Sequence, residues 1–521
     1  MNREFNITGT CIPEQNYMVD MSSRLTYAME LVDRGQYFCI NRPRQFGKTT
    51  LLSTMARHLR ARPEEYLLAR ISFEGLDDSA FKTAGELGAT FIRLLHRSIS
   101  QFYPEDLLTE LHADDVKDFD SLSTRISRLA RSVKQRIVVM IDEVDRAGSF
   151  DLFLRFLGML RTKYLSARDG EDSTFHSVIL AGLHDIKSLK LKIRGSDSPR
   201  FNSPWNIAVQ FDMDMTFNEL EIVQMLKEYG SDKDIEIDYE PVAHAIHDYT
   251  SGYPFLVSII CKMIDEDFKN HTHWTVDDVD RAFRALTYSA YTNTNFDDLA
   301  KTLYYDEDLY RLVHAVLFGH KPVPVASNDP IMSLAIQHGI LVESPHGAKI
   351  HNRIYEAKIV DQMAATAFRE QLAMPQSMDA DYIADDGNLN VAEILRGYQR
   401  FIQEHHSRHD ESFLEREGRL IFLAFLKPIL NGRGYAFKEP AVGDERRLDV
   451  VLTYNDQREV VELKVWRGES YHKRGLAQLS EYLDHYALDH GFLLIYDFRR
   501  SKSFREETIE FDGKQILAVW V

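Results

Sequence analysis

The segment GQYFCINRPRQFGKTTLLSTMARHLR, which begins at Gly35, constrains the fold more than any other stretch of the chain. It reads as a short buried strand at Tyr37 to Ile40, a loop, and a helix starting near Lys48. That is the context a phosphate-binding loop requires, and Gly47-Lys48-Thr49 matches the end of the GxxxxGKS/T signature. In such a loop the backbone around Arg44, Gln45, Phe46, Gly47 and Thr50 cradles phosphates, Lys48 reaches the β and γ phosphates of ATP, and the Thr49 hydroxyl ligates Mg²⁺. The positive end of the helix dipole favours the same anion. The first glycine of the signature falls at Arg42, so the generic motif is incomplete, and a chance GKT at a helix start is the competing explanation.

A second motif bears on that choice. In RIVVMIDEVD the apolar run Ile137 to Ile141 has the composition of a strand buried on both faces of a parallel sheet, and it ends in Asp142 and Glu143. Carboxylates at the C-terminal end of such a strand face the ligand crevice. Asp142 is placed to hold Mg²⁺, directly or through water, and Glu143 to polarise the water that attacks the γ-phosphate. FHSVILAGL supplies a further core strand.

With these motifs in hand, YMVDMSSRLTYAMELVDRGQYFCINRPRQFGKTTLL resembles the start of a bacterial AAA-ATPase-like family, P-loop AAA-type and STAND-like, that carries a C-terminal PD-(D/E)XK nuclease domain. The loop of that family typically reads RPRRFGKS, so Arg42 is normal for it. The resemblance covers nearly the whole chain. It implies an α/β fold: a P-loop NTPase parallel sheet with a helical lid and a winged-helix-like module, followed by an α/β restriction-endonuclease-like domain. SPWNIAVQF and TSGYPFLVSIICKMI resemble the sensor region and lid of related ATPases, and Arg194 and Arg200 are either charge-stabilising fingers or solvated loop arginines. Tyr17 and Asp20 fall inside the matching stretch with no role derivable from sequence.

Between Asp306 and Met363 the order helix, helix, hairpin suggests a winged helix, and its sparse basic residues favour a rigid adaptor over a DNA-binding module. The acidic, aperiodic stretch 371–390 is the expected linker. The expected division is 1–215 for the ATPase core, 216–300 for the lid, 301–370 for the winged-helix-like module and 391–521 for the nuclease-like domain. His405, His406 and His409 lie on a polar stretch and are assigned no metal.

In ERRLDVVLTYNDQREVVELKVWRG the alternation on either side of Asn455-Asp456 predicts a β-hairpin. A two-residue loop there sets Asp449 opposite Glu462, with Lys464 on the same face. Two carboxylates and an ammonium among valines and leucines are costly to bury without a purpose. Paired carboxylates bind Mg²⁺ or Mn²⁺ and activate a water towards phosphorus, while Lys464 orients that water or stabilises the developing charge. D-x12-E-x-K is the pattern of the nuclease superfamily, and VVELKVWRGESYHKRGLAQLSEYLD resembles that domain, which brings in Gln478 as a further catalytic candidate. The superfamily adds a carboxylate from a preceding helix, and of Glu415 and Glu417 the latter is favoured. Either can instead be a first-turn glutamate complementing the helix dipole.

A chain of 521 residues is too long for one hydrophobic core, which fits several folding units. No run approaches the length needed to cross a bilayer and the first residues lack a signal-peptide layout, so the expectation is a cytoplasmic protein with no membrane partner. Three scattered cysteines exclude a zinc site of CxxC type or a disulfide framework. The net charge of −18 gives no overall attraction to a polyanion, so contact with DNA, or RNA, must be local, and Lys464, Arg467, Lys473 and Arg474 are its candidates. A homo-oligomer responsive to nucleotide is expected. The leading expectation is ATP-regulated DNA cleavage, with a role in defence against foreign DNA by family analogy; the alternative is a nucleotide-dependent switch whose C-terminal fold binds without cutting.

Overall fold

The computed structural model describes residues 3–103, 111, 115–144, 150–182, 205–267, 272–288, 293–318, 322–326, 328–371, 382–384, 387–405, 411–430, 434–437, 450–454, 457–499 and 503–521. They group into two compact units. The first comprises Met1–Arg284, Asn293–Leu312 and Pro324–Arg353, and the second Ala285–Thr292, Val313–Val323 and Ile354–Val521.

The first unit opens with α1 (Ser22–Asp33), β1 (Phe38–Asn41), α2 (Lys48–Arg60), β2 (Tyr66–Ser72), α3 (Ala84–Ser100), α4 (Phe119–Ser132), β3 (Arg136–Asp142), α5 (Phe150–Arg168), β4 (Ser177–Gly182) and β5 (Val209–Gln210). Every strand pairing in this sheet is parallel, in the order β2-β3-β4-β1-β5. Parallel strands covered on both faces read as continuous apolar runs, and residues 137–142 of β3 and all of β4 are accordingly buried. Because β1 leads out to the far edge and β3 and β4 fill in behind it, β1 lies between β4 and β5. The C-terminal ends of β1 and β3 open on the same side, where ligands of open α/β sheets bind. The expected strands at 37–40, 137–141 and 175–183 are present within two residues at each end.

Next come α6 (Glu219–Lys233), β6 (Glu236–Ile237), α7 (Tyr239–Thr250), α8 (Pro254–Asp267), β7 (His273–Trp274), α9 (Val276–Tyr288), α10 (Thr294–Tyr305), α11 (Glu307–Phe318), α12 (Pro330–Gln337) and the hairpin β8 (Leu341–Ser344) with β9 (Gly347–Ile350). The start of α6 is fixed by a capping box: Asn218 accepts from the Glu221 N–H while the Glu221 carboxylate accepts from that of Asn218. Asp329 caps α12, whose first residue is Pro330.

The second unit contains α13 (Arg353–Gln371), α14 (Val391–His405), α15 (Glu411–Leu430), β10 (Gly434–Phe437), β11 (Val450–Tyr454), β12 (Gln457–Val465), α16 (Glu469–His485), β13 (His490–Tyr496), β14 (Glu506–Phe511) and β15 (Lys514–Trp520). Its sheet runs β10-β11-β12-β13-β15-β14, with a parallel centre (β12, β13, β15) and antiparallel flanks. Side chains alternate between two cores. Val450, Leu452, Val461 and Leu463 pack with α14 and α15, and Val451, Val460 and Leu493 pack with α16. Within the stretch read as a linker, Ile383 bridges Leu389, and Leu389 is buried in the first of these cores. Among the described residues no helix is long and apolar enough to cross a membrane.

Candidate functional site

In the first unit the chain leaves β1 and turns through Arg42 to Gly47 before entering α2. Gln45 (φ 56°) and Gly47 (φ 81°) both take left-handed backbone conformations. Glycine tolerates this freely, whereas for Gln45 it costs about 1 kcal/mol and is the kind of strain kept at ligand loops. Lys48 is buried and its Nζ donates to the carbonyls of Arg42 (2.7 Å) and Pro43 (2.8 Å), so the ammonium is folded into the cradle it would offer a phosphate. The Thr49 hydroxyl donates to Asp142 Oδ2 (3.2 Å), and the Glu143 N–H donates to Asp142 Oδ1 (3.0 Å). Glu143 is itself left-handed (φ 54°). Hydroxyl and carboxylate oxygens suit a hard cation such as Mg²⁺.

Arg42 does not face this cradle. Its Nη2 donates to the carbonyls of Phe211 (3.0 Å) and Met213 (2.8 Å), tying the loop to the segment after β5. On another side, the Tyr253 hydroxyl donates to the Arg44 carbonyl (2.6 Å), and Phe46 packs edge-on against the Tyr253 ring (4.7 Å between centroids) and beside His351 (5.9 Å). His351 Nδ1 lies 3.1 Å from the Gly339 carbonyl, and burial pushes the imidazole down to about 4. Arg44 also pairs with Asp298.

Beside the loop lies a pocket of about 100 Å³. Its walls are mainly apolar: Ile7, Met18 and Val19 from the N-terminal segment, Gln45 to Gly47 and Thr50 from the loop and α2, and Met215, Phe217 and Phe255. The Cys11 N–H donates to the Thr50 hydroxyl (3.2 Å), fixing the N-terminal segment to the start of α2. Tyr17 also lines the pocket and stands in a cluster with Phe5, Tyr229 and Trp274, whose centroids are 4.8–6.3 Å apart in successive pairs.

In the second unit, Val450 stands opposite Val461 and Tyr454 opposite Gln457, the register expected for the hairpin. Glu462 is fully buried, Lys464 Nζ lies 2.7 Å from its Oε1, and the same ammonium donates to Gln478 Oε1 of α16 (3.2 Å). Gly475 lies against the Lys464 stem, where an added Cβ would sit 3.4 Å from Cε. Glu462, Lys464 and Gln478 are thus brought together. Asp449 lies outside the described residues, as do Asn455, Asp456, Arg194, Arg200, His406 and His409. Glu415 and Glu417 fall within α15, but their side chains are outside the description. Among the described residues no group of three or more His, Cys, Asp or Glu gathers as a metal site.

The AAA-like domain family matches residues 13–356. The chain belongs to this family. An AAA-like domain is an ATPase module of P-loop type, and its loop is the Arg42–Thr50 segment described above. No curated protein matches the chain significantly. Among solved structures it is similar to the Walker-type ATPase PABY2304 of Pyrococcus abyssi, at 14% identity over 68% of this chain and 99% of that one, with a TM-score of 0.44. It is also similar to the RuvB Holliday junction branch migration motor of Thermotoga maritima (14%, 67% and 96%, TM-score 0.33) and to the ORC2 protein of Aeropyrum pernix in ADPNP–ADP complexes (13%, 66% and 93%, TM-score 0.32).

Three features of this AAA-like domain were not readable from its sequence. The anchoring bonds of Arg42 join residues about 170 positions apart, the contact of Phe46 with His351 spans some 300, and the pocket draws its walls from four separate segments. The one local signal was Tyr17 in the motif-bearing stretch, and the structure puts it in the pocket wall.

Proposed function

We propose that this AAA-like protein binds and hydrolyses ATP at the Lys48 loop and that its nucleotide state regulates a Mg²⁺-dependent phosphodiesterase in the C-terminal unit, acting on DNA. The observation that carries the second half is Glu462: a carboxylate with no exposed surface, paired at 2.7 Å with Lys464, which Gln478 holds in turn. A buried ion pair is weak evidence for stability, since apolar residues fill such a place as well or better, so its retention points to chemistry.

In the first unit the base of ATP occupies the apolar pocket, and its phosphates reach the loop, where the Lys48 ammonium exchanges the Arg42 and Pro43 carbonyls for phosphate oxygens. Glu143, one residue beyond Asp142, accepts the proton of the attacking water. In the second unit Lys464 stabilises negative charge developing at the scissile phosphorus, and Gln478 sets its position. Mg²⁺, held by Thr49 and Asp142 in one unit and by Asp449, Glu462 and Glu417 in the other, supplies charge neutralisation and an acidified water when bound.

The test is cleavage of plasmid and linear DNA in Mg²⁺ by the native protein, Glu462→Gln and Asp449→Ala. Cleavage by the native protein that falls at least 100-fold in both variants, with ATP hydrolysis retained, is the expected result. Equal cleavage in all three assigns it to a contaminant and sinks the phosphodiesterase. A native protein that cuts neither DNA nor RNA points instead to a nucleotide-dependent switch.

A further inference from the structure

The α16 face of β12 carries Glu462 and Lys464, and the next side chain in that row is Trp466. Its N–H bonds the Tyr496 carbonyl (2.8 Å), which continues the strand pairing and sets Trp466 roughly 7 Å beyond Lys464. Trp205, Trp274 and Trp520 are each at most 3% exposed, whereas Trp466 is only partly buried. His472 and Trp520 lie at 5.4 and 6.4 Å from it, ring to ring. The Arg499 guanidinium lies over the indole, 4.8 Å from its centroid.

Arg499 is held twice. Its Nε and Nη2 donate to the two oxygens of Asp497 at 2.9 and 2.7 Å, and Asp497 is itself buried at 2% exposure. Yet 49% of the Arg499 side chain remains exposed. An exposed arginine normally keeps its rotamer freedom, so a guanidinium fixed by a buried carboxylate and an aromatic face is a preformed plane. Asp497 occupies the Nε–Nη2 edge, which leaves the Nη1 end for a phosphate oxygen and the outer face of the plane, which is suited to stacking on a flat π-system. Arg467, Lys473 and Arg474 follow closely in sequence and give the region positive charge in a chain of net −18.

Resting on the phosphodiesterase reading, we infer that Arg499 and Trp466 form a ledge on which an unpaired base stacks, setting the neighbouring phosphodiester at Lys464. The substrate class is a single strand or a frayed end, because in an intact duplex each base face is covered by its neighbours.

The experiment measures binding of the full-length protein to a labelled oligothymidylate by fluorescence anisotropy, in EDTA so that no strand is cut. An abasic strand of equal length and a blunt duplex are the comparison ligands. Arg499→Lys keeps a cation for Asp497 and for phosphates but removes the plane. Affinity for the oligothymidylate should fall about tenfold in this variant and in Trp466→Ala, while the abasic strand binds native protein and variants alike. The unchanged abasic binding also shows that the variants are folded. Full rescue by lysine, equal native affinity for abasic and base-carrying strands, or a duplex that binds as tightly as the single strand would each overturn the ledge without touching the phosphodiesterase. Native protein that binds none of the three ligands overturns the ledge and leaves the phosphodiesterase to the cleavage assay in Mg²⁺.

Discussion

Arg42 stands where phosphate-binding loops ordinarily carry a glycine, and its guanidinium bonds two carbonyls beyond β5. Arg42→Gly restores the generic motif yet severs those bonds, so it should destabilise the first unit by about 1–3 kcal/mol, read as a lower urea midpoint. An unchanged midpoint would show that the bonds do not hold the loop. His351 makes a second prediction. Burial lowers its pKa to about 4, against about 6.5 in an unfolded chain. Between those values the unfolded chain binds a proton that the folded chain does not, so stability rises with pH across this window and is lost as pH falls from about 6.5 towards 4. His351→Gln should shrink the difference in unfolding free energy between pH 7 and pH 5 by about 2 kcal/mol. An undiminished difference would place the titrating group elsewhere.

The elements around the sites differ in how they were specified. The strand, loop and helix at 38–60 and the β11–β12 register follow from local signals: an apolar run, a GKT at a helix start, and alternation about a two-residue turn. Such signals sit within a few residues of what they dictate, so they were legible in sequence. The pocket, the Arg42 anchor and the Phe46–Tyr253–His351 packing were not, because each joins segments brought together only by the tertiary fold. The turn into α8 is another such joint. Gly252 has φ 69°, its carbonyl accepts from the Phe217 N–H (2.8 Å), and an added Cβ would lie 2.1 Å from the Phe217 oxygen. Gly252→Ala should therefore cost at least about 2 kcal/mol, seen as a lower Tm, through backbone that cannot yield cheaply. A Tm equal to the native value would mean that the turn opens freely.

Taken together, the chain carries two sets of chemistry-bearing residues in two separate units, Lys48 with Thr49 and Asp142 in one and Glu462 with Lys464 and Gln478 in the other. An overall charge of −18 disfavours nucleic acid everywhere except at local clusters, so productive binding should weaken steeply with salt. The central proposal is that the nucleotide state of the first unit governs the chemistry of the second. The most direct measurement is the rate of Mg²⁺-dependent DNA cleavage in ATP, in ADP and without nucleotide, for the native protein and for Lys48→Ala. A rate that changes at least tenfold with nucleotide in the native protein, and not at all in Lys48→Ala, is the predicted result. Cleavage indifferent to nucleotide in the native protein would contradict the coupling, even if both activities are present.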